Sequence, residues 1–376
     1  MPRYNPTTMS PSGVRREIGQ LLMAGFTGTT LPPELRALAR EYSLAGIILF
    51  ARNVESPEQV AEIAREAGEW SRDLPLWVAV VQEGGRVARL KRPLTEWPPM
   101  LTLGRSGDVE LARRFARALA AELLAVGITL DFAPVLDVLT NPANPVIGNR
   151  ALGETADIVS RLGTAIVEEL QGAGLAACGK HFPGHGDTSV DSHHDLPLVE
   201  HPPDRLRAVE LEPFRAAIAA GVASIMTAHV LIPAFDEERP ATLSPSIVRP
   251  LLRDELGFDG VIFTDDMEMK AVSARWPVPD ACVQAIAAGC DAALVCSGDL
   301  DLQAATLDAL IYAVESERLP YARVTDALAR QRRMKERFLG DGRFAGGRGP
   351  RPGRELQAML GRDAHVAVAE EMARFL

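Results

Sequence analysis

Apolar residues fall along the chain in eight short, unbroken runs separated by amphipathic stretches. The runs are Leu22 to Phe26, Ala45 to Phe50, Leu76 to Val81, Gly127 to Asp131, Ala176 to Lys180, Ala223 to Ala228, Gly260 to Thr264 and Asp291 to Cys296. Runs of this length bounded by polar or glycine residues read as buried strands. The stretches Ser56 to Arg72, Val109 to Val126, Ala156 to Gln171, Asp204 to Ala220 and Pro279 to Ala288 repeat apolar positions at helical spacing. Ser56-Pro57-Glu58-Gln59 opens one of them with a capping serine and a proline at the first helical position. Strands alternating with helices predict an α/β protein with parallel strands and helical crossovers. Eight such units in about 300 residues fit a (β/α)8 TIM-type barrel, a single catalytic domain over residues 1–339, better than an open sheet. No glycine-rich dinucleotide fingerprint follows the first run, which lowers the open-sheet reading further.

Beyond the barrel the pattern breaks. Residues 340–353 are rich in glycine, arginine and proline and read as a flexible linker. A terminal helix, Asp363 to Phe375, is expected to follow and to dock back on the barrel. Residues 340–376 are therefore set apart as linker and C-terminal helix.

Composition narrows the function classes. The 376 residues carry a net charge of -10 with no basic block, which argues against nucleic acid as a partner. No long apolar run spans a membrane. Met1 to Arg16 lacks the apolar core of an export signal, so the expected location is cytoplasmic. Cys178, Cys282, Cys290 and Cys296 sit in apolar contexts without ligand spacing and read as reduced core residues. No cofactor, metal or macromolecular partner is called for, and a monomer is expected.

In a barrel the chemistry belongs where the strands end. Those ends here carry Asn53, the turn Gln82-Glu83-Gly84-Gly85-Arg86, Asp131, Lys180-His181, His229, Asp265-Asp266 and Ser297. The densest of them is Gly179 to Asp195, which holds four of the seven histidines and three aspartates. Pro183, Gly184 and Gly186 break regular structure there, predicting a polar, mobile loop above a rigid strand. Val261-Ile262-Phe263-Thr264-Asp265-Asp266 ends another strand in two acids. Neighbours on a strand point oppositely, so one of the two is expected to face the pocket and the other, Asp266, to cap the next helix. A carboxylate opposite a His/Asp loop suggests a nucleophile working with a general acid/base.

Lys180-His181-Phe182-Pro183-Gly184-His185-Gly186, with Asp191-Ser192-His193, resembles the signature of glycoside hydrolase family 3, in its bacterial β-N-acetylglucosaminidase (beta-hexosaminidase) branch. Phe132 to Val138, Ile147-Gly148-Asn149-Arg150 and Gly260 to Asp265 resemble that branch's other motifs in the same order, and the likeness runs from about Ile18 to Leu339. The resemblance implies a cytoplasmic retaining exo-enzyme that removes terminal β-linked N-acetylglucosamine, typically from muropeptides in peptidoglycan recycling. It further implies that Asp265 is the nucleophile, His193 the general acid/base and Asp191 the partner of that histidine. By the same likeness Arg150, Lys180 and His181 bind the sugar in the −1 subsite, and Arg89 is a further sugar-binding arginine. An imidazole in place of the usual second carboxylate titrates near neutrality, and Asp191 beside it would fix its tautomer.

Two departures stand out. The family's usual acid before Gln-Glu-Gly-Gly-Arg is Val81 here, so a substrate hydroxyl loses an acceptor worth about 1.5–3 kcal/mol. Two-domain relatives continue past the barrel into an α/β sandwich; Leu360 to Phe375 resembles the helix that begins it, and the chain reads as a one-domain member. Two rival readings accompany the main one. The first is a sugar-binding homologue, weak or silent in catalysis, motivated by Val81. The second is a metal-dependent hydrolase drawing ligands from His181, His185, His193, His194 and Asp187 or Asp191.

Overall fold

The computed structural model describes residues 11–70, 74–190, 192, 196–340 and 350–376. Eight parallel strands close into a barrel: β1 (Leu22–Ala24), β2 (Gly46–Leu49), β3 (Trp77–Val80), β4 (Leu130–Asp131), β5 (Ala176–Phe182), β6 (Ser224–Thr227), β9 (Val261–Asp266) and β10 (Ala292–Val295). Their order around the barrel is β1-β10-β9-β6-β5-β4-β3-β2. Each lies inside, or within two residues of, one of the eight apolar runs. Two further strands, β7 (Leu231–Ile232) and β8 (Asp236–Pro240), form an antiparallel hairpin outside the barrel. The sequence pattern gives no sign of that hairpin, because Asp236-Glu237-Glu238-Arg239 is polar throughout.

The helices follow the pattern closely at Pro57–Gly68, Val109–Ala125, Ala156–Gly172 and Val278–Ala288. Ser56 caps the first, its side chain accepting from the Gln59 N–H at 3.1 Å. The expected helix Asp204 to Ala220 divides into Pro203–Ala208 and Glu212–Ala219. Pro213 has no N–H to continue the first helix and fits only at the start of a new one. Arg205 then reaches across the break to the buried Glu210 at 2.6 and 2.8 Å.

Side chains alternate between two cores. One lies between strands and helices, and the other fills the barrel with residues such as Met23, Trp77, Phe132, Cys178, Phe263 and Leu294. Phe132 and Phe263 meet edge to face across the interior with centroids 5.3 Å apart. The helix Tyr321–Leu339 seals the end where the strands begin. Its Met334, Phe338 and Leu339 join the interior core, and its Gln331 accepts from Trp77 Nε1 at 3.2 Å. All four cysteines are buried and unpaired. Among the described residues, no helix is long and apolar enough to cross a membrane.

The C-terminal helix Asp363–Ala373 lies against the helix Val109–Ala125. Arg114 holds Glu371 through two bonds of 2.8 Å, and His365 Nδ1 lies 2.8 Å from Glu122. Glu122 also accepts from the N–H groups of Thr95 and Gly361 and from the Thr95 hydroxyl, so one buried carboxylate gathers the tail and the turn after β3. Of the linker, residues 341–349 lie outside the described residues.

Lys335 on the sealing helix is fully buried, with Nζ donating to Gln20 Oε1 and the Ala45 carbonyl, each at 2.8 Å. Both partners are neutral. Burial, reinforced by the Arg332 charge, therefore holds the ammonium well below the ordinary lysine value. An unfolded lysine keeps its proton over a range where the folded one has lost it. The unfolding free energy should rise with pH through that range, the penalty being fully present below the folded value and gone above the unfolded one. In Lys335→Met, urea unfolding across alkaline pH should lose this upward slope. An identical slope in variant and parent would refute the assignment.

Candidate active site

The sequence folds so that the ends of β3, β4 and β5 bring one set of polar groups to a cavity, and β9 brings another from across the barrel. The chain after β4 keeps pairing with β5: Cys178 N donates to Ala133 O at 2.9 Å, and Leu136 N donates to Lys180 O at 2.6 Å. That pairing sets Asp137 beside the end of β5. There it accepts from His181 Nδ1 at 2.7 Å, from the His181 N–H at 3.2 Å and from the His185 N–H at 2.7 Å. A carboxylate can only accept from the ring, so the proton sits on Nδ1 and Nε2 is turned toward Arg150 Nη2, 3.5 Å away. Arg150 sits in the turn Gly148–Arg150. Asn144 fixes this turn to the histidine loop, accepting from the N–H groups of Val146 and Ile147 while donating to the His185 carbonyl.

Glu83 is the hub. It lies just past β3, fully buried, where Arg150 grips it through Nε and Nη2 at 2.8 Å each and Lys180 Nζ reaches it at 2.6 Å. Burial alone would raise its pKa, but the two cations and their hydrogen bonds outweigh this and hold the carboxyl far below the ordinary glutamate value. The same carboxylate drives Arg150 further toward its charged form against the effect of burial. Lys180 and Arg150 are thus both aimed by one carboxylate, a single anion shared between two cations.

Opposite them stands Asp265 at the end of β9, accepting from the Asp266 N–H at 2.8 Å. Burial opposes its charge, yet His181, His229, that N–H and Lys180 together hold it below the ordinary aspartate value. It is therefore a carboxylate at neutral pH. Asp266 differs: burial pushes it up to about 7, although its Oδ1 accepts from the Glu268 N–H at 3.1 Å. The expectation that only one of the pair faces the pocket is corrected here, because both line the cavity. The strand register slips between Ala292 and Leu294 of β10 opposite this end of β9, which releases Asp266 from strict alternation.

The cavity measures about 300 Å³. It brings together Arg89, Arg150, Lys180, His181 and Asp265, and Val81 stands in its wall. Asp191 and His193 lie outside the described residues. Ser192, between them in the chain, is described: it is buried, lines the cavity, and lies 3.3 Å from His185 Nε2.

The first half of the histidine loop is packed into the protein, with His185, Gly186 and Thr188 buried. A Cβ at Gly186 would lie 1.8 Å from the Val138 carbonyl oxygen, so only glycine fits against that backbone. Burial pushes the His185 imidazole down to about 4, so the ring is neutral, with Nδ1 2.6 Å from the Thr188 hydroxyl. Asp187 turns away from the cavity to Thr140 and His201, each at 2.8 Å. Among the described residues, no three His, Cys, Asp or Glu side chains converge in a metal-binding arrangement.

Glu83 and Asp137 were not singled out from the sequence as site residues. Glu83 stood there only within a polar turn, and Asp137 only within a motif. Asp131, also at a strand end, faces away from the cavity: its neighbours Leu130 and Phe132 fill the interior, and its Oδ1 accepts from the Gln82 N–H at 2.9 Å.

Comparison with known proteins places this geometry. Residues 13–334 match the family model described as glycosyl hydrolase family 3 N terminal domain. The chain is 38% identical over 336 residues to beta-hexosaminidase A of Pseudoalteromonas piscicida, covering 82% of this chain and 56% of that protein. It therefore spans little more than half of that relative. A beta-hexosaminidase of Nitrosomonas eutropha is 39% identical, with 85% of this chain and 93% of the relative covered. Among solved structures, a family 3 beta-N-acetylglucosaminidase from Paenibacillus sp. str. FPU-7 superposes with a TM-score of 0.89 at 43% identity, over 98% of this chain and 69% of that one. NagZ from Neisseria gonorrhoeae, solved in complex with N-trifluoroacetyl-D-glucosamine, superposes with a TM-score of 0.77 at 32% identity, over 94% of this chain and 97% of that one.

Proposed function

The chain belongs to glycosyl hydrolase family 3, among its beta-hexosaminidase-type glycosidases, and on that footing we propose that it removes terminal β-linked N-acetylglucosamine with retention of configuration. The observation that carries this reading is an ionised Asp265 sharing one small cavity with the Glu83-anchored pair Lys180 and Arg150. In the proposed reaction the Asp265 carboxylate attacks the anomeric carbon as the bond from that carbon to the leaving oxygen breaks. His193 gives its proton to that oxygen, with Asp191 orienting the ring. Water then loses a proton to His193 and displaces Asp265, releasing the sugar. Arg150, Lys180 and Arg89 donate to the sugar's hydroxyls, their charge strengthening each bond, and His181 Nε2 accepts from a hydroxyl. The family resemblance supports the roles of Asp191 and His193. Cell-wall fragments as the natural source, a cytoplasmic location and a monomeric state belong to the same proposal.

The deciding experiment is steady-state hydrolysis of an aryl β-N-acetylglucosaminide beside the matching aryl β-glucoside. Turnover of the first, far exceeding the second, is the expected result. Binding of N-acetylglucosamine without turnover of either glycoside would replace the enzyme with a sugar-binding homologue.

A further inference from the structure

The wall of the cavity opposite Asp265 carries a positive charge that no acid among the described residues pairs with. β3 stands four strands from β9 in the ring of eight, whichever way round it is counted. Val81, one residue past β3, therefore faces Asp265 across the full width of the barrel mouth, and both line the cavity. Arg89 lines the cavity too, on the turn that follows Val81. Gln82 holds that turn in place, accepting from the N–H groups of Arg89 and Leu90 at 2.7 and 3.1 Å and donating to the Leu90 carbonyl at 2.8 Å. The Arg89 guanidinium lies 5.8 Å from the centroid of the Phe50 ring, which supports its flat face. Its Nε is shielded from solvent and has no hydrogen-bond partner, and no carboxylate among the described residues pairs with it.

The neighbouring charges do not balance it. Glu83 attracts Arg89 from a distance, but its oxygens are bonded to Arg150 and Lys180, whose charges offset it, and it does not line the cavity. Arg86, the other cation on this wall, donates to the carbonyls of Pro145, Val146 and Ile147 and meets no acid among the described residues. Val81 offers this wall neither charge nor acceptor. A cavity floored by apolar side chains thus presents a fixed arginine that no carboxylate among the described residues pairs with.

Resting on the reading given above, we infer that the sugar this site prefers carries an anionic group, a carboxylate or a phosphate ester, on the side remote from the bond that is cleaved. The anion takes the place beside Val81 and pairs with Arg89. An acid at position 81 would repel it, and valine admits it.

The test compares kcat/KM for an aryl β-N-acetylglucosaminide with three counterparts: the 6-carboxylate, the 6-phosphate, and the 3-O-carboxyethyl ether. The parent protein should favour at least one anionic glycoside over the neutral one by about tenfold or more, as expected for one charge-assisted pair. The arm that wins identifies the anion and its position. Val81→Asp should reverse the preference toward the neutral glycoside, and Arg89→Met should bring the ratio to about one. Titration calorimetry of the free sugars with Asp265→Asn reads the same ratio independently of turnover, so loss of hydrolysis alone bears on the proposed reaction and not on this inference. Equal or weaker handling of every anionic sugar by the parent, in both measurements, overturns it. So does an anion preference that survives unchanged in Val81→Asp and Arg89→Met.

Discussion

Asp265→Asn should lower kcat on an aryl β-N-acetylglucosaminide by at least about four orders of magnitude while the protein stays folded. The amide keeps an oxygen for the Asp266 N–H, which the carboxylate accepts at 2.8 Å, so the end of β9 retains its local bond. It loses the negative charge that His181, His229 and Lys180 sustain in this pocket. The neutral side-chain amide is a far weaker nucleophile than the carboxylate, and it lacks the charge that balances positive charge developing at the anomeric carbon. Chemical rescue separates this role from a structural one. In Asp265→Gly, added azide should restore cleavage and yield the α-glycosyl azide, because an external anion attacks from the face the carboxylate occupied. A trapping fluoroglycoside that labelled Asp266 instead would move the nucleophile by one residue.

The second large effect is expected at a residue that is absent from the cavity wall. Glu83→Gln should reduce kcat/KM by roughly two to three decades, since it leaves two buried cations without their shared anion, a loss of about 3–4 kcal/mol at 1.4 kcal/mol per decade. An amide presents one acceptor and one donor to Arg150 and Lys180, where the carboxylate presents two acceptors. The three bonds of 2.6 to 2.8 Å cannot all survive. With their common anchor gone, Lys180 and Arg150 should repel each other and leave the positions from which they meet the sugar. Both KM and kcat should suffer, because a sugar held loosely is also presented poorly to Asp265. Glu83→Asp, which keeps the charge on a shorter stem, should recover part of the loss. A Glu83→Gln protein that is less stable yet within about threefold of the parent in kcat/KM would make Glu83 a purely structural residue.

The eight strands were readable because each is buried on both faces, so local apolarity marks it without knowledge of its neighbours. The aspartate at the end of β9 and the lysine–histidine pair at the end of β5 were readable for a related reason: a charged residue that closes an apolar run must emerge where the barrel opens. Asn53 and Asp131 show the limit of that rule. Asn53 also follows a strand, yet its amide serves the carbonyls of Phe26 and Gly28, and Asp131 points into the helical layer. Which way a strand-end residue turns depends on register around a closed ring, and no window of sequence contains that. Glu83 was hidden for the same cause. Its partners come from positions 67 and 97 residues further along, and only closure of the barrel brings them to one point. The burial of the histidine loop's first half was not readable, because its glycines look like flexibility in a sequence. In the fold, Gly186 is a place where two backbones touch.

The helix that seals the far end of the barrel has a consequence for traffic. Trp77, Gln331 and the side chains of Met334, Phe338 and Leu339 leave no channel along the axis, and the cavity floor is the top of the apolar layer that includes Ile48, Met226 and Leu294. The site is therefore a blind pit. A polymer cannot be threaded through it, so whatever sugar enters must back out by the mouth through which it came. On the proposed function, cutting under this geometry would be distributive: one unit per encounter, taken from a chain end. The excised sugar, lying deepest, would be the last to leave and would hold the pit closed to the next chain until it did.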